Sequence, residues 1–213
     1  MMPVGLFGGS FDPVHNGHLR AAEEVREHFG LERLYFIPAF IQPLKQREGA
    51  TAAADRLKMV EMATRSNKFF RVSPVEMRRG GLSYTTETIK AFARRQREIY
   101  FLVGLDAFSD IPLWKNYEKI FCDANLVIMV RPTSRAVVSG TDLFPSVVKS
   151  DVRRIDESTY EHRSGKRIFL YRVTQLDISS TTIRQLVRKG TSIRYLVPYG
   201  VERFIEQRGL YRE

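Results

Sequence analysis

The sequence predicts an α/β fold: a Rossmann-like, doubly wound, mostly parallel sheet with helices on both faces. Three observations carry this. Short apolar runs alternate with amphipathic stretches along most of the chain. Glycine or proline punctuates the joins between them. The resulting β-α-β-α order demands right-handed crossovers, which place helices on both sides of a parallel sheet.

Each element follows in turn. Pro3 to Gly8 reads as a buried strand bounded by Gly8-Gly9, and Gly17 to Phe29 as a helix closed by Gly30. Leu34 to Pro38 is a second strand. Thr51 to Ser66 is a helix whose apolar stripe draws on Leu57, Val60, Met62 and Ala63. Phe69 to Ser73 is a third strand, Thr85 to Arg95 a helix, and Ile99 to Gly104 a fourth strand ending in glycine. Glu118 to Phe121 closes a short helix before a strand at Ala124 to Val130. Pro132 to Lys166 is polar and irregular, with turn signals at Ser139-Gly140 and Ser164-Gly165. It reads as an insertion at about 132–167, a solvated loop or small subdomain within a single domain spanning 1–213. Ile168 to Val173 returns as a strand, and a helical end at about 179–213 holds helices at Ser180 to Val187 and Pro198 to Gln207.

A chain of 213 residues is about 1.4 times the rough domain length of ~150 residues. Its 43% hydrophobic and 27% charged content excludes a disordered chain. One cysteine, Cys122, excludes an intrachain disulfide framework and a cysteine-cluster zinc site, and reads as a small buried apolar residue. No apolar run approaches the ~18 residues of a membrane span. The start, Met1 to Phe7, lacks a basic leader, so a cytoplasmic setting without membrane attachment is expected. Lys and Arg exceed Asp and Glu by 34 to 24, a net charge of +10. That favours anionic small molecules, while basic pairs such as Arg78-Arg79 and Arg153-Arg154 form no nucleic-acid-binding motif. Solubility alone is the plainer account of the charge, and self-association is left open.

The first motif follows the first strand: Gly8-Gly9-Ser10-Phe11-Asp12-Pro13-Val14-His15-Asn16-Gly17-His18. In a doubly wound sheet, ligands sit beyond the C-terminal strand ends at the switch point. Gly8 and Gly9 let the backbone pass close to a ligand. The helix start near Gly17 turns its N–H groups toward an anion, within reach of His15 and His18. Neither the dinucleotide fingerprint nor a Walker loop is present, and a zinc site would want a third ligand. The second motif, Ile178-Ser179-Ser180-Thr181-Thr182-Ile183-Arg184, lies about 160 residues later. Its hydroxyls suit a helix cap and phosphate oxygens alike. Arg184, about one turn in, can fold back to the same end and fork onto two oxygens.

These two stretches resemble the His-x-Gly-His and Ile-Ser-Ser-Thr-x-x-Arg signatures of the nucleotidyltransferase superfamily. Three further stretches are similar to bacterial nicotinate mononucleotide adenylyltransferases: Val75 to Thr85; Gly104-Leu105-Asp106 with Leu113-Trp114; and Tyr195-Leu196-Val197-Pro198 with Gly209-Leu210-Tyr211. The resemblance covers nearly the whole chain outside the insertion. It implies adenylyl transfer from ATP to nicotinate mononucleotide, giving deamido-NAD and pyrophosphate. Catalysis is then expected at His15, His18 and Arg184. ATP contacts are expected at Gly8, Gly9, Ser10, Lys45, Gly104, Asp106, Ile178, Ser179, Ser180 and Thr181. The mononucleotide falls to Tyr84, Thr85, Trp114 and Lys115, with Trp114 stacked on the nicotinate ring and main-chain N–H groups near Thr85 and Lys115 on its carboxylate. Trp114, the only tryptophan, suits a flat cationic ring, although a core role is its other reading. Mg²⁺ is expected to travel with ATP, with no protein-held metal.

Two positions depart from the family pattern. Gln42-Pro43-Leu44-Lys45 stands where Pro-Pro-His-Lys is usual, so only Pro43 and Lys45 match and Leu44 carries no role. Lys115 stands where an aromatic is common, which would favour the acid over the amide substrate. Two other readings stay open: a related transferase such as the phosphopantetheine enzyme, and a nucleotide- or RNA-binding module without catalysis.

Overall fold

A computed structural model describes residues 3–44, 51–94, 98–130 and 143–212. Its sheet has eight strands: β1 (Val4–Gly9), β2 (Arg33–Pro38), β3 (Phe70–Val72), β4 (Ile99–Gly104), β5 (Asn125–Val130), β6 (Val152–Arg154), β7 (Thr159–His162) and β8 (Arg167–Arg172). The spatial order is β3-β2-β1-β4-β5-β8-β7-β6. The first six of these are parallel neighbours, and the last two join antiparallel. The chain reverses its winding between β1 and β4, so a crevice opens beyond their C-terminal ends.

Alternation along the strands builds two cores. Phe7, Leu102, Val127 and Met129 point to one face, where α1 (Asn16–His28), α2 (Ala53–Thr64), α8 (Ser180–Arg188) and α9 (Tyr199–Arg208) supply Ala22, Val25, Val60, Ile183 and Val201. Leu6, Phe101, Val103 and Ile128 point to the other. There α4 (Thr85–Ala93) and α6 (Glu118–Asp123) add Ile89, Ile120 and Phe121. Strands covered on both sides read as near-continuous apolar runs, which made Asn125–Val130 visible in the sequence. Gly30, at φ +59°, lets the chain leave α1 while its N–H bonds Glu27 O.

Several expectations are revised. The 132–167 stretch is not a loop throughout. It contributes a short helix, α7 (Ser146–Lys149), and the β6–β7 hairpin, which pairs with β8 at Tyr160–Ile168. Residues 132–142 of it lie outside the described residues. In α2 the buried face is Arg56, Met59, Val60 and Ala63, with Leu57 half-buried and Met62 exposed. A buried arginine there shifts the inward stripe from the one apolarity alone suggests. Cys122 is exposed rather than buried, because α6 is a turn and a half long and turns Ile120 and Phe121 inward instead. Three short helical segments, α3 (Val75–Arg79), α5 (Leu105–Ser109) and a 3₁₀ turn at Ile111–Leu113, were not foreseen. Among the described residues no helix is long and apolar enough to cross a membrane.

Candidate active site

A cleft of about 330 Å³ sits at the switch point. Phe7 comes from β1, Gly104 from the end of β4, Asp106 from the first turn of α5, and Met129 from β5. His15, Gly17 and His18 come from the start of α1, and Val173 to Leu176 with Ile178 from the segment after β8. Sequence positions 160 residues apart thus share one wall. Gly104 has open space where a Cβ would stand, and Asp106 is exposed in the first turn of α5.

The two histidines are held as a pair. His15 is the N-cap of α1, only 4% exposed, and its ring stacks on His18 at 3.7 Å between centroids. The edges of Phe7 and Phe11 close on His18 at 6.0 and 5.2 Å. His18 Nδ1 accepts the main-chain N–H of His15 at 3.3 Å. That bond selects the tautomer with its proton on Nε2, so the remaining ring nitrogen is a donor. The sequence spacing also has a steric cause. A Cβ on Gly17 would stand 3.1 Å from His15 Nδ1 and 3.2 Å from Cε1, so the ring would have to give by a few tenths of an ångström. Gly17→Ala is therefore expected to lower kcat about tenfold while leaving the melting temperature near wild type, since alanine suits a helix better than glycine. Unchanged kcat in a steady-state assay would show that the placement of His15 is immaterial.

The second motif is bolted to the loop that carries the first. Ser179 caps α8, its Oγ accepting Thr182 N–H at 3.0 Å. Ser180 Oγ donates to Pro13 O at 2.8 Å. Arg184, 8% exposed, sends Nη1 to Asp12 O at 2.5 Å and Nη2 back to Thr181 Oγ1 at 3.0 Å. The guanidinium thus returns to the helix start, as its position one turn in suggested. It lies beneath the loop, whereas Ile178 reaches the cleft itself. The C-terminal segment completes the clamp. Tyr211 Oη donates to Asp12 Oδ1 at 2.7 Å, and burial together with the Asp12 charge pushes this phenol well above its usual range, keeping the proton in place. Asn16 donates its main-chain N–H to Leu196 O and its side chain to Tyr195 O, at 2.9 and 2.7 Å.

Other buried charges were missed by sequence reasoning. Glu24, on α1, accepts Thr174 N–H at 2.7 Å and Arg20 at 2.5 Å, tying the helix of His18 to the far wall of the cleft. Burial alone would raise its pKa, but those hydrogen bonds outweigh it and hold the carboxylate below the usual range. Arg56 donates to the carbonyls of Thr51, Ser10 and Phe40. Burial lowers its pKa and the Asp12 charge opposes that.

The remaining expected residues divide by location. Gly8 is exposed at the end of β1, and a Cβ on Gly9 would press on the Phe11 ring at 3.2 Å. The Ser10 hydroxyl donates to Gln42 Oε1. Leu44 is exposed, and Lys45 lies outside the described residues. On the acceptor side, Trp114 is half-buried, edge-on to Phe101 at 6.2 Å. Lys115 Nζ lies 4.1 Å above the Tyr84 ring and 3.9 Å from Glu87. Thr86 Oγ1 donates to Lys115 O at 3.4 Å, so the start of α4 and the Trp114–Lys115 segment touch. Thr85 opens α4, where helix N–H groups point outward.

Comparisons with known proteins agree with this geometry. Residues 6–186 match the model of the cytidylyltransferase-like family. A "Probable nicotinate-nucleotide adenylyltransferase" of Geotalea uraniireducens is 41% identical over 100% of this chain and 99% of its own. One of Syntrophotalea carbinolica is 42% identical over 99% and 98%. The structure of Plasmodium falciparum nicotinic acid mononucleotide adenylyltransferase complexed with NaAD superposes with a TM-score of 0.74 at 17% identity, covering 99% of this chain and 98% of that one. At that identity the superposition speaks for the fold, and the curated relatives speak for the lineage: the chain belongs to the nicotinate-nucleotide adenylyltransferase family.

Proposed function

We propose that this chain transfers the adenylyl group of ATP to nicotinate mononucleotide, forming deamido-NAD and releasing pyrophosphate. The observation that carries this reading is the fixed His15–His18 pair at the switch-point cleft, on a loop clamped by the Ser179–Arg184 motif. The 5′-phosphate oxygen of the mononucleotide attacks the α-phosphorus in line; the new P–O bond forms as the bond to pyrophosphate breaks. A phosphate monoester is already an anion at neutral pH, so positioning and charge stabilisation supply the rate. His15 and His18 donate hydrogen bonds as charge builds on the phosphate oxygens. Lys45 holds the leaving pyrophosphate and Arg184 braces the histidine loop from beneath, with Gly8, Gly9, Ser10 and the Ile178–Thr181 turn shaping the phosphate path. Asp106 accepts from ribose hydroxyls beside Gly104. Trp114 stacks on the pyridinium, and the opening N–H groups of α4 at Thr85, with Tyr84 and Lys115, face the ring carboxylate.

Among the described residues, no three His, Cys, Asp or Glu side chains group as a metal cage. The cleft offers one carboxylate, Asp106, which suits a Mg²⁺ carried on the triphosphate. Such an ion would neutralise phosphate charge when bound.

Pyrophosphate release with nicotinate mononucleotide, its amide and phosphopantetheine tests the assignment. Turnover is expected with the first, weaker turnover with the second and none with the third; no release with any acceptor would leave a binding module. Trp114→Ala is expected to raise the mononucleotide KM about tenfold, in line with the loss of one ring contact of about 1–2 kcal/mol. An unchanged KM removes the stacking role.

A further inference from the structure

A partly buried chain of hydrogen bonds runs between the donor and acceptor halves of the cleft, and the reaction steps above do not use it. At its centre is the main chain of Phe40, two residues beyond β2. Its carbonyl accepts from Arg56 Nη2 at 2.9 Å, and its N–H donates to Ser83 Oγ at 2.9 Å. On the donor side, Arg56 also holds Ser10 O at 2.8 Å, in the loop that leads to His15. On the acceptor side, the Ser83 hydroxyl bonds the carboxylate of Glu76, which also takes Thr88 Oγ1 of α4 at 2.6 Å. Both charged ends are buried, at 6% exposure each, and Ser83 stands directly before Tyr84.

We propose that Arg56 and Glu76 are positioning residues that act through the main chain of Phe40 and through Ser83 to set the spacing between the phosphate loop and the mononucleotide turn. This rests on the reaction assigned above. The physical case is one of rigidity and cost. The Phe40 N–H and carbonyl lie in the two planar peptide units that meet at its Cα, so gripping one group in each fixes both planes and the dihedral angles between them. A guanidinium fork that serves three carbonyls from three segments cannot shift without stranding several of them. Ser83 N–H also bonds Ile41 O at 2.8 Å, and Ile41 bridges to Leu82, so the two loops advance together. In-line transfer is sensitive to misplacement of either substrate by about 1 Å. Burial pushes the Glu76 carboxyl above its usual range, while the two hydroxyls and Arg79, at 3.9 Å, oppose the shift.

The test uses the full chain with Ser83→Ala, Arg56→Lys, Glu76→Gln and the Arg56→Lys/Glu76→Gln double variant. Steady-state kinetics with both substrates are paired with melting curves. Ser83→Ala is expected to raise the mononucleotide KM about fivefold, the size of one lost hydrogen bond, and to lower kcat, with the ATP KM within twofold. Arg56→Lys is expected to raise the ATP KM, and the double variant to lose at least about fivefold less in kcat/KM than the product of the single losses. Arg56 and Glu76 share no direct contact in the chain described, so additivity within twofold would overturn the relay. So would Ser83→Ala with both KM values unchanged and a lowered melting temperature; that comparison decides the matter should Arg56→Lys fail to fold. Wild-type turnover is measured first. Turnover with additive variants sinks the relay alone, whereas no turnover sinks the reaction and the relay with it.

Discussion

His18→Ala is expected to lower kcat about 100- to 1,000-fold, the range seen when one preorganised donor to developing charge is removed. The mononucleotide KM should change by less than about threefold. The reasoning starts from the ring's surroundings. His18 is wedged between His15 and the edges of two phenylalanines, and its Nδ1 is engaged by main chain. Such a ring needs no reorganisation when charge appears on a nearby oxygen, which is the condition under which a donor acts on the transition state more than on the ground state. Alanine removes the donor and also the acceptor that His18 Nδ1 offers to the His15 N–H, a long capping bond whose loss costs α1 about 0.5–1 kcal/mol and leaves the N-cap residue in place. A kcat within threefold of wild type would make His18 a packing residue and sink its assigned part in the transfer.

Arg184→Ala should act on both folding and catalysis. Asp12 O loses a charge-assisted donor and Thr181 Oγ1 loses a partner, in a site 8% exposed. A loss of about 2–3 kcal/mol is expected for such a bond, a fall in melting temperature of roughly 4–12 °C for a chain of this size. Because the freed loop carries the histidines, kcat/KM for ATP should fall a further 10- to 100-fold, measured well below the melting transition. Arg184→Lys keeps the charge but not the two-pronged grip, and should fall between. Full stability in Arg184→Ala would contradict the bonding geometry. Full activity at reduced stability would confine the residue to the scaffold.

The long elements were legible because each announces itself locally. Ile99–Gly104 is a run of apolar residues ending in glycine, and the α1 pattern stops where Gly30 permits a left-handed turn. The β6–β7 hairpin was not legible. Its strands are three and four residues long and carry Arg153, Arg154 and Glu161, so no alternation could emerge. Helix α3 spans five residues, too few for a 3.6-residue period. The histidine motif stood out because its chemistry is compact in sequence. Arg56, Glu24 and Glu76 did not, because their partners are distant: Ser10 O lies 46 positions from Arg56, and Thr174 N lies 150 from Glu24. A charged residue inside a helix pattern looks like solvent-facing surface until the fold closes over it. The C-terminal likeness around Tyr195 and Tyr211 acquires a cause here, since both segments anchor the residues 12–16.

The hairpin also decides what lies at the rims. Both outermost strands, β3 and β6, are only three residues long, and β6 carries two adjacent arginines. A neighbouring molecule seeking to extend the hydrogen-bonded ladder finds few rungs at one border and a like-charged barrier at the other. The β6–β7 hairpin therefore leaves β6, rather than the six-residue β8, as the border on that side, a feature unconnected with the nucleotides this enzyme handles.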